Sequence, residues 1–112
     1  RLRILTSNKQ PVDSHDGFVH LQPKGKYRLQ VENGLPQSIY YSLLYWDHKH
    51  VIHPVGSRIT ELKANKLKKF NLNVFQSGIA ERYKLLFSLE KPPCDSDKWF
   101  SETLSIWVEP ER

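Results

Sequence analysis

Short apolar runs with a period of two constrain the fold of this chain more than any other feature. In one such run, Tyr27, Leu29 and Val31 alternate with polar residues. This alternation places the apolar side chains on one face of a half-buried strand, whereas an amphipathic helix would repeat every 3.6 residues. The same period occurs in segments 18–21, 70–74 and 103–108. The sequence therefore predicts strands and almost no helix.

Two longer apolar runs, 39–46 and 83–89, are rich in aromatic and branched residues and predict central strands. Leu2 and Ile4 add a short first strand, and turn residues such as those in 33–36 separate the runs. About eight short strands at this spacing are typical of a two-sheet antiparallel sandwich. We expect an all-β, immunoglobulin-like sandwich of about 7–8 short strands.

Three segments mark predicted boundaries between strands. Residues 51–52 pair with 39–46 in a predicted hairpin whose second strand Pro54 would close. Segment 56–65 is polar and is expected to be irregular. Residues 94–98 follow two prolines and are expected to form a loop, with Trp99 exposed beside it.

Length and composition favour one domain over residues 1–112. The chain has 112 residues, 38% of them apolar, which suffices for one core. It contains no Met, so we expect a domain excised from a longer protein. No apolar run approaches the roughly 18 residues of a membrane span. Cys94 is the single cysteine, which excludes an intrachain disulfide and favours a cytoplasmic location.

Three segments together resemble a known domain family. They are KGKYRLQVEN at 24–33, IYYSLLYWD at 39–47, followed by VIHP at 51–54, and GIAERYKLLFS at 78–88. This arrangement resembles a bacterial accessory domain of unknown function that is often found C-terminal to caspase-like peptidase domains. The resemblance covers about two-thirds of the chain and departs from the family at 57–69 and in its excess of lysine. It implies a non-catalytic immunoglobulin-like sandwich beside a protease or another effector domain.

Candidate catalytic residues are few. Cys94 follows two prolines and precedes Asp95 and Asp97, whose negative charges disfavour a thiolate, and the sequence places no base beside it. No Gly-x-Ser-x-Gly motif and no phosphate-binding loop occurs. We therefore expect neither enzymatic activity nor a cofactor.

A metal site is conceivable at three histidines. His48, His50 and His53 lie within six residues, and an extended strand would turn His48 and His50 to one side. Only Asp47 accompanies them as a further ligand type. Solvated histidines beside a polar turn are the favoured interpretation, so no metal is expected.

The densest basic stretch suggests a second kind of partner. Its residues are Arg58, Lys63, Lys66, Lys68 and Lys69, in a chain of net charge +5. Converging on one face, they would bind nucleic acid or an anionic surface. Lysines that protect an exposed edge strand from aggregation explain the same cluster and are favoured.

Aromatic residues supply candidate anchors for a protein partner. Alternation along 39–46 puts Tyr41, Leu43 and Tyr45 on one side of the strand and Trp46 on the other, so core packing explains most of them. Trp99 and Phe100 are the candidates for an exposed patch. The sequence thus favours an accessory module that binds a protein partner or a neighbouring domain of its parent chain.

Overall fold

Most residues of this computed structural model lie in strands. It describes residues 1–74 and 76–111, with only the backbone of Ser57. The strands are β1 (Leu2–Thr6), β2 (Ser14–His15), β3 (Phe18–Leu21), β4 (Lys26–Glu32), β5 (Ile39–Trp46), β6 (Ile52–Leu62), β7 (Leu67–Asn73), β8 (Ile79–Ser88) and β9 (Trp99–Val108). A 3₁₀ turn at Ser96–Lys98 precedes β9. The all-β prediction is confirmed.

The strands form two sheets. A three-stranded sheet has the order β1-β4-β7, and a six-stranded sheet has the order β2-β3-β9-β8-β5-β6. The pairings are antiparallel except for β3 and β9, which run parallel. The predicted two-sheet, mostly antiparallel sandwich is therefore present.

The core lies between the inner faces of the two sheets. The three-stranded sheet contributes Ile4, Leu29 and Val31, and the six-stranded sheet contributes Leu43 and Leu85 among others. Each of these side chains is at most 1% exposed. They occupy alternate positions on their strands, so the period of two in the sequence is the direct cause of this two-layer packing.

Strand β6 extends further than the sequence predicted. It continues through Pro54, which was expected to close a strand, and through most of 56–65, which was expected to be irregular. β6 lies at the edge of its sheet, so a proline without an N–H removes no necessary ladder bond. A register shift between Tyr41 and Leu43 accommodates the extra residues opposite β5.

Two further boundaries differ from expectation. β8 begins at Ile79, before the predicted run, and β9 begins at Trp99, so Trp99 lies in a strand and not in a loop. The ladder between β8 and β9 runs over ten residue pairs, from Ile79 opposite Val108 to Ser88 opposite Trp99. Such long-range pairing extends strands past the point where local alternation stops. Phe75, which directly follows the predicted strand segment 70–74, lies outside the described residues.

The burial of Leu43 in the core leads to a first prediction, about stability. Leu43 is 1% exposed, whereas Leu67, also on a strand, is 47% exposed. Leu43→Ala should lower the free energy of unfolding by about 2–5 kcal/mol, through lost burial and the cavity that remains. The matched Leu67→Ala should change it by less than about 0.5 kcal/mol. Urea denaturation followed by circular dichroism measures both, and equal losses would contradict the assignment of the core.

Candidate functional site

The three histidines considered as metal ligands surround the β5–β6 turn. The His53 ring lies 2.9 Å, Nε2 to Oδ2, from Asp47, and packs against Tyr45 with ring centroids 5.7 Å apart. His50 is exposed in the turn with φ 64°. Asp47 thus acts as a turn residue, because its Oδ1 also accepts the backbone N–H groups of residues 49 and 51.

Electrostatics agree with this structural role of Asp47. The hydrogen bond from His53, followed by the N–H of Val51, lowers the pKa of the Asp47 carboxyl to about 2. Within residues 1–74 and 76–111, no group of three or more His, Cys, Asp or Glu side chains has a metal-binding arrangement. His53 therefore stabilises the β5–β6 turn through its contact with Asp47.

Cys94 is half-buried beside the end of β8. Its Sγ lies 3.6 Å from the Oγ of Ser88, which is fully buried, and 3.9 Å from the backbone oxygen of Glu90. Ser88 Oγ in turn accepts the backbone N–H of Glu90. These contacts join Cys94 to a local turn network.

The predicted basic cluster is divided between the two sheets. Arg58 lies on β6, at the edge of the six-stranded sheet, whereas Lys68 and Lys69 lie on β7, at the edge of the three-stranded sheet. Lys68 pairs with Val31, whose side chain points into the core, so Lys68 and Lys69 point to opposite faces. Lys63 and Lys66 occupy the connection between the strands. The location of two lysines on an edge strand fits the interpretation of edge protection.

Trp99 and Phe100 also point to opposite faces. They are consecutive residues of β9, and side chains alternate along a strand. Phe100 pairs with Phe87 on the inner side, where the two rings stack with centroids 5.5 Å apart, and Phe100 remains 53% exposed. Trp99 is half-buried on the outer side. The two predicted anchors therefore belong to different surfaces.

The outer side of the six-stranded sheet gathers most of the remaining aromatic residues. The register places the even-numbered residues of β5 and β8 on the same outer side as the odd-numbered residues of β9. We call the apolar members of this surface the aromatic face: Tyr40, Leu44, Trp46, Leu86, Trp99 and Trp107. All six are half-buried, and the chain's three tryptophans are among them.

Sequence reasoning assigned most of these residues to the core. The alternation along 39–46 did predict that Trp46 faces away from Tyr41, and the structure buries Tyr41 and Leu43 while Trp46 is half-buried. The pairing of β5 with β8 and of β8 with β9 was needed to show that the outer residues of three strands form one surface. That pairing is not readable from local periodicity.

Two basic residues lie within this surface. On β8, Arg82 is directly opposite Trp46 and Lys84 is directly opposite Leu44. Neither forms an ion pair with any residue that the structure describes. The aromatic face therefore combines apolar area with two basic side chains that form no ion pair with the described residues.

A charged clasp lies at the margin of the same face. His20 on β3 places Nδ1 at 2.6 Å from Glu109 and Nε2 at 2.9 Å from Asp16. The hydrogen bond to Asp16, then that to Glu109, raises the pKa of His20 to about 9. The clasp joins the β2–β3 hairpin to the residue that follows β9.

We compared the chain with protein-family models, with curated proteins and with solved structures, and none of the three comparisons returned a match. The described part of the chain contains no helix of the length and apolarity needed to cross a bilayer. The function has to be inferred from the surfaces themselves.

The clasp around His20 leads to a prediction about how the stability of the protein depends on pH. Because the folded-state pKa of His20 is raised from 6.5 to about 9, its contribution to stability is complete below pH 6.5 and is lost as pH rises through about 9. His20→Gln should therefore destabilise the protein at low pH and have a diminishing effect as pH approaches about 10.

Chemical denaturation at several pH values measures this difference. His48→Gln serves as the control, since His48 forms no ion pair among the described residues. A stability difference between wild type and His20→Gln that stays constant across the window would show that the clasp does not form.

Proposed function

We propose that this chain is a non-catalytic protein-interaction module and that its aromatic face is the contact surface. The observation that carries the proposal is the presence of all three tryptophans on one outward-facing sheet surface. Trp, Tyr and Arg dominate the binding energy of protein interfaces, and large exposed apolar patches mark such interfaces.

The incomplete burial of this surface supports the proposal. Trp46, Trp99 and Trp107 are each only half-buried, and the described structure contains no third layer over the six-stranded sheet. Ile52, opposite Trp46 on β6, is 51% exposed and extends the apolar area to the sheet edge. A partner that covered these side chains would gain roughly 25 cal/mol for each Å² of apolar surface removed from water.

Charge indicates the chemistry of the partner. Arg82 and Lys84 lie among the aromatic residues and form no ion pair with any described residue. A complementary surface would present carboxylates between apolar groups, which would neutralise both cations and fix the orientation of binding. The partner that we propose is a folded protein surface of this kind.

Docking through side chains is favoured over addition of a strand at the sheet edge. β6, the edge next to the aromatic face, contains Pro54, a register shift opposite Tyr41 and Leu43, and Gly56 with φ 70°. Proline and an irregular register both obstruct a continuous ladder with a further strand. The face of the sheet is therefore the better docking surface.

The finer identity of the module is also a proposal. The order β9-β8-β5-β6 opposite β1-β4-β7 supports an immunoglobulin-like arrangement, in which a sheet of the type G-F-C-C′ opposes strands A, B and E. The resemblance in segments 24–33, 39–47, 51–54 and 78–88 is the basis for proposing an accessory domain attached to or associated with a caspase-like peptidase or another bacterial effector. The single cysteine is the basis for proposing a cytoplasmic location.

Binding of nucleic acid or of an anionic surface through Arg58 and Lys63–Lys69 is the second candidate. It has less support, because these residues are distributed over two sheet edges and Lys68 and Lys69 point to opposite sides. A polyanion would contact a contiguous row of cations most strongly.

Affinity capture with the purified domain tests the choice between these functions. We expect a protein partner that remains bound at high salt and is lost with Trp46→Ala/Trp99→Ala, because apolar contacts dominate and are screened little. Lys66→Glu/Lys68→Glu/Lys69→Glu serves as the matched control and should leave capture unchanged.

The captured partner is then purified and its affinity for each variant is measured directly. The tryptophan variant should weaken binding by at least about tenfold, which corresponds to about 1.4 kcal/mol. Capture of nucleic acid that is lost with the lysine variant and with added salt would overturn the proposal in favour of the basic residues.

A further inference from the structure

A cavity of about 730 Å³ opens where β4 begins and β7 ends, on the three-stranded sheet and away from the aromatic face. Its volume lies within the range of sites for small molecules, roughly 300–1,000 Å³. The polar residues that line it are Ser7, Lys24, Lys26, Arg28, Asn71 and Asn73. We call this site the cationic cleft.

We propose that the cationic cleft binds a small phosphorylated molecule whose phosphate groups contact the three cations and whose hydroxyl groups contact the asparagines. The site is independent of the proposed protein-docking surface, because the two lie on different sheets. None of the residues singled out as basic in the sequence lines it.

Strand register assembles the cleft. Arg28 on β4 is directly opposite Asn71 on β7, and Lys26 is directly opposite Asn73. Directly paired residues have Cβ atoms about 5 Å apart and project from the same face. Two cation–amide pairs therefore lie side by side, since Lys26 and Arg28 are two residues apart on one strand.

The turn before β4 closes one end of the cleft. Lys24 donates its backbone N–H to Val74 O at 3.0 Å, and the N–H of Val74 donates to Gly25 O at 3.2 Å. These bonds fix the turn against the end of β7 and bring Lys24, with φ 62°, beside the two strand cations. Backbone hydrogen bonds thus fix the main chain from which the third basic side chain of the site extends.

Close packing at Gly25 makes this end of the cleft rigid. A Cβ at Gly25 would lie 2.5 Å from Cε2 of Tyr27 and 2.9 Å from the backbone oxygen of Gln22, so only glycine fits. The Tyr27 hydroxyl in turn accepts the backbone N–H of Gln22 at 2.9 Å. A preorganised wall of this kind lowers the entropy that a ligand loses on binding.

Charge within the cleft is unbalanced. No Asp or Glu lines it, and Lys26 and Arg28 form no ion pair with the described residues. Lys24 contacts Glu111 at 3.4 Å, but both side chains are largely exposed and such a pair contributes little. An anion in the cleft would therefore meet cations that are free to bind it.

The types of side chain select the class of ligand. Three cations match the charge of a phosphomonoester or a diphosphate better than that of a single carboxylate, and Arg28 can bind two phosphate oxygens at once. Asn71, Asn73 and Ser7 both donate and accept hydrogen bonds, as sugar hydroxyls require. A nucleic acid would instead need a cationic track across roughly 600–1,000 Å² of surface.

Titrations of the ¹⁵N-labelled domain with pyrophosphate and with ribose 5-phosphate, at low salt, test the proposal. We expect saturable shifts at the amides of residues 24–28 and 71–74, and no shifts with ribose alone. Arg28→Gln should weaken the affinity for pyrophosphate by at least about tenfold, and Arg58→Gln, an exposed arginine on the other sheet, by less than about twofold. Arg28 is exposed, so we expect Arg28→Gln to fold, and urea denaturation of this variant checks that it does.

Three outcomes would overturn the proposal. The first is an absence of saturable shifts up to about 10 mM pyrophosphate, because a preformed anion site would bind far more tightly than that. The second is an equal loss of affinity in Arg28→Gln and Arg58→Gln, which indicates diffuse attraction to the net charge. The third is tighter binding of a single-stranded oligonucleotide with shifts that spread along β7, which indicates a nucleic-acid surface.

Discussion

Apolar packing between the inner faces of the two sheets is the interaction on which the rest of this structure depends. The chain has one cysteine and therefore no intrachain disulfide, so side chains such as Leu29, Leu43 and Leu85 hold the sheets together. Each sheet presents its alternate residues to this core. Most residues on the two outer faces lie outside this core.

The two outer faces differ in chemistry. The six-stranded sheet presents tryptophans with Arg82 and Lys84 between them, whereas the three-stranded sheet presents the cleft that contains Lys26 and Arg28. One surface suits a protein with carboxylates among apolar groups, and the other suits a compact anion. A sandwich can hold both surfaces because its core separates the two outer faces.

The alternation of apolar and polar residues correctly predicted the features that depend on residues close together in the sequence. Strand β5 has the bounds expected from its apolar run, and the division of Tyr41 from Trp46 was correct. The extension of β6 through Pro54 and of β9 back to Trp99 depends on sheet partners far away in sequence. The surfaces depend on such pairing too. Lys68 and Lys69 are neighbours in sequence but point to opposite faces, whereas Arg28 and Asn71 are distant in sequence and directly opposite.

The central claim is that partner binding uses the outer face of the six-stranded sheet. The indole N–H resonances of Trp46, Trp99 and Trp107 report on that face directly, because the described chain places all three there. Two-dimensional NMR of the domain with its captured protein partner should shift all three indole signals and leave the amides of β7 unchanged. Unchanged indole signals together with shifts along β7 would contradict the account.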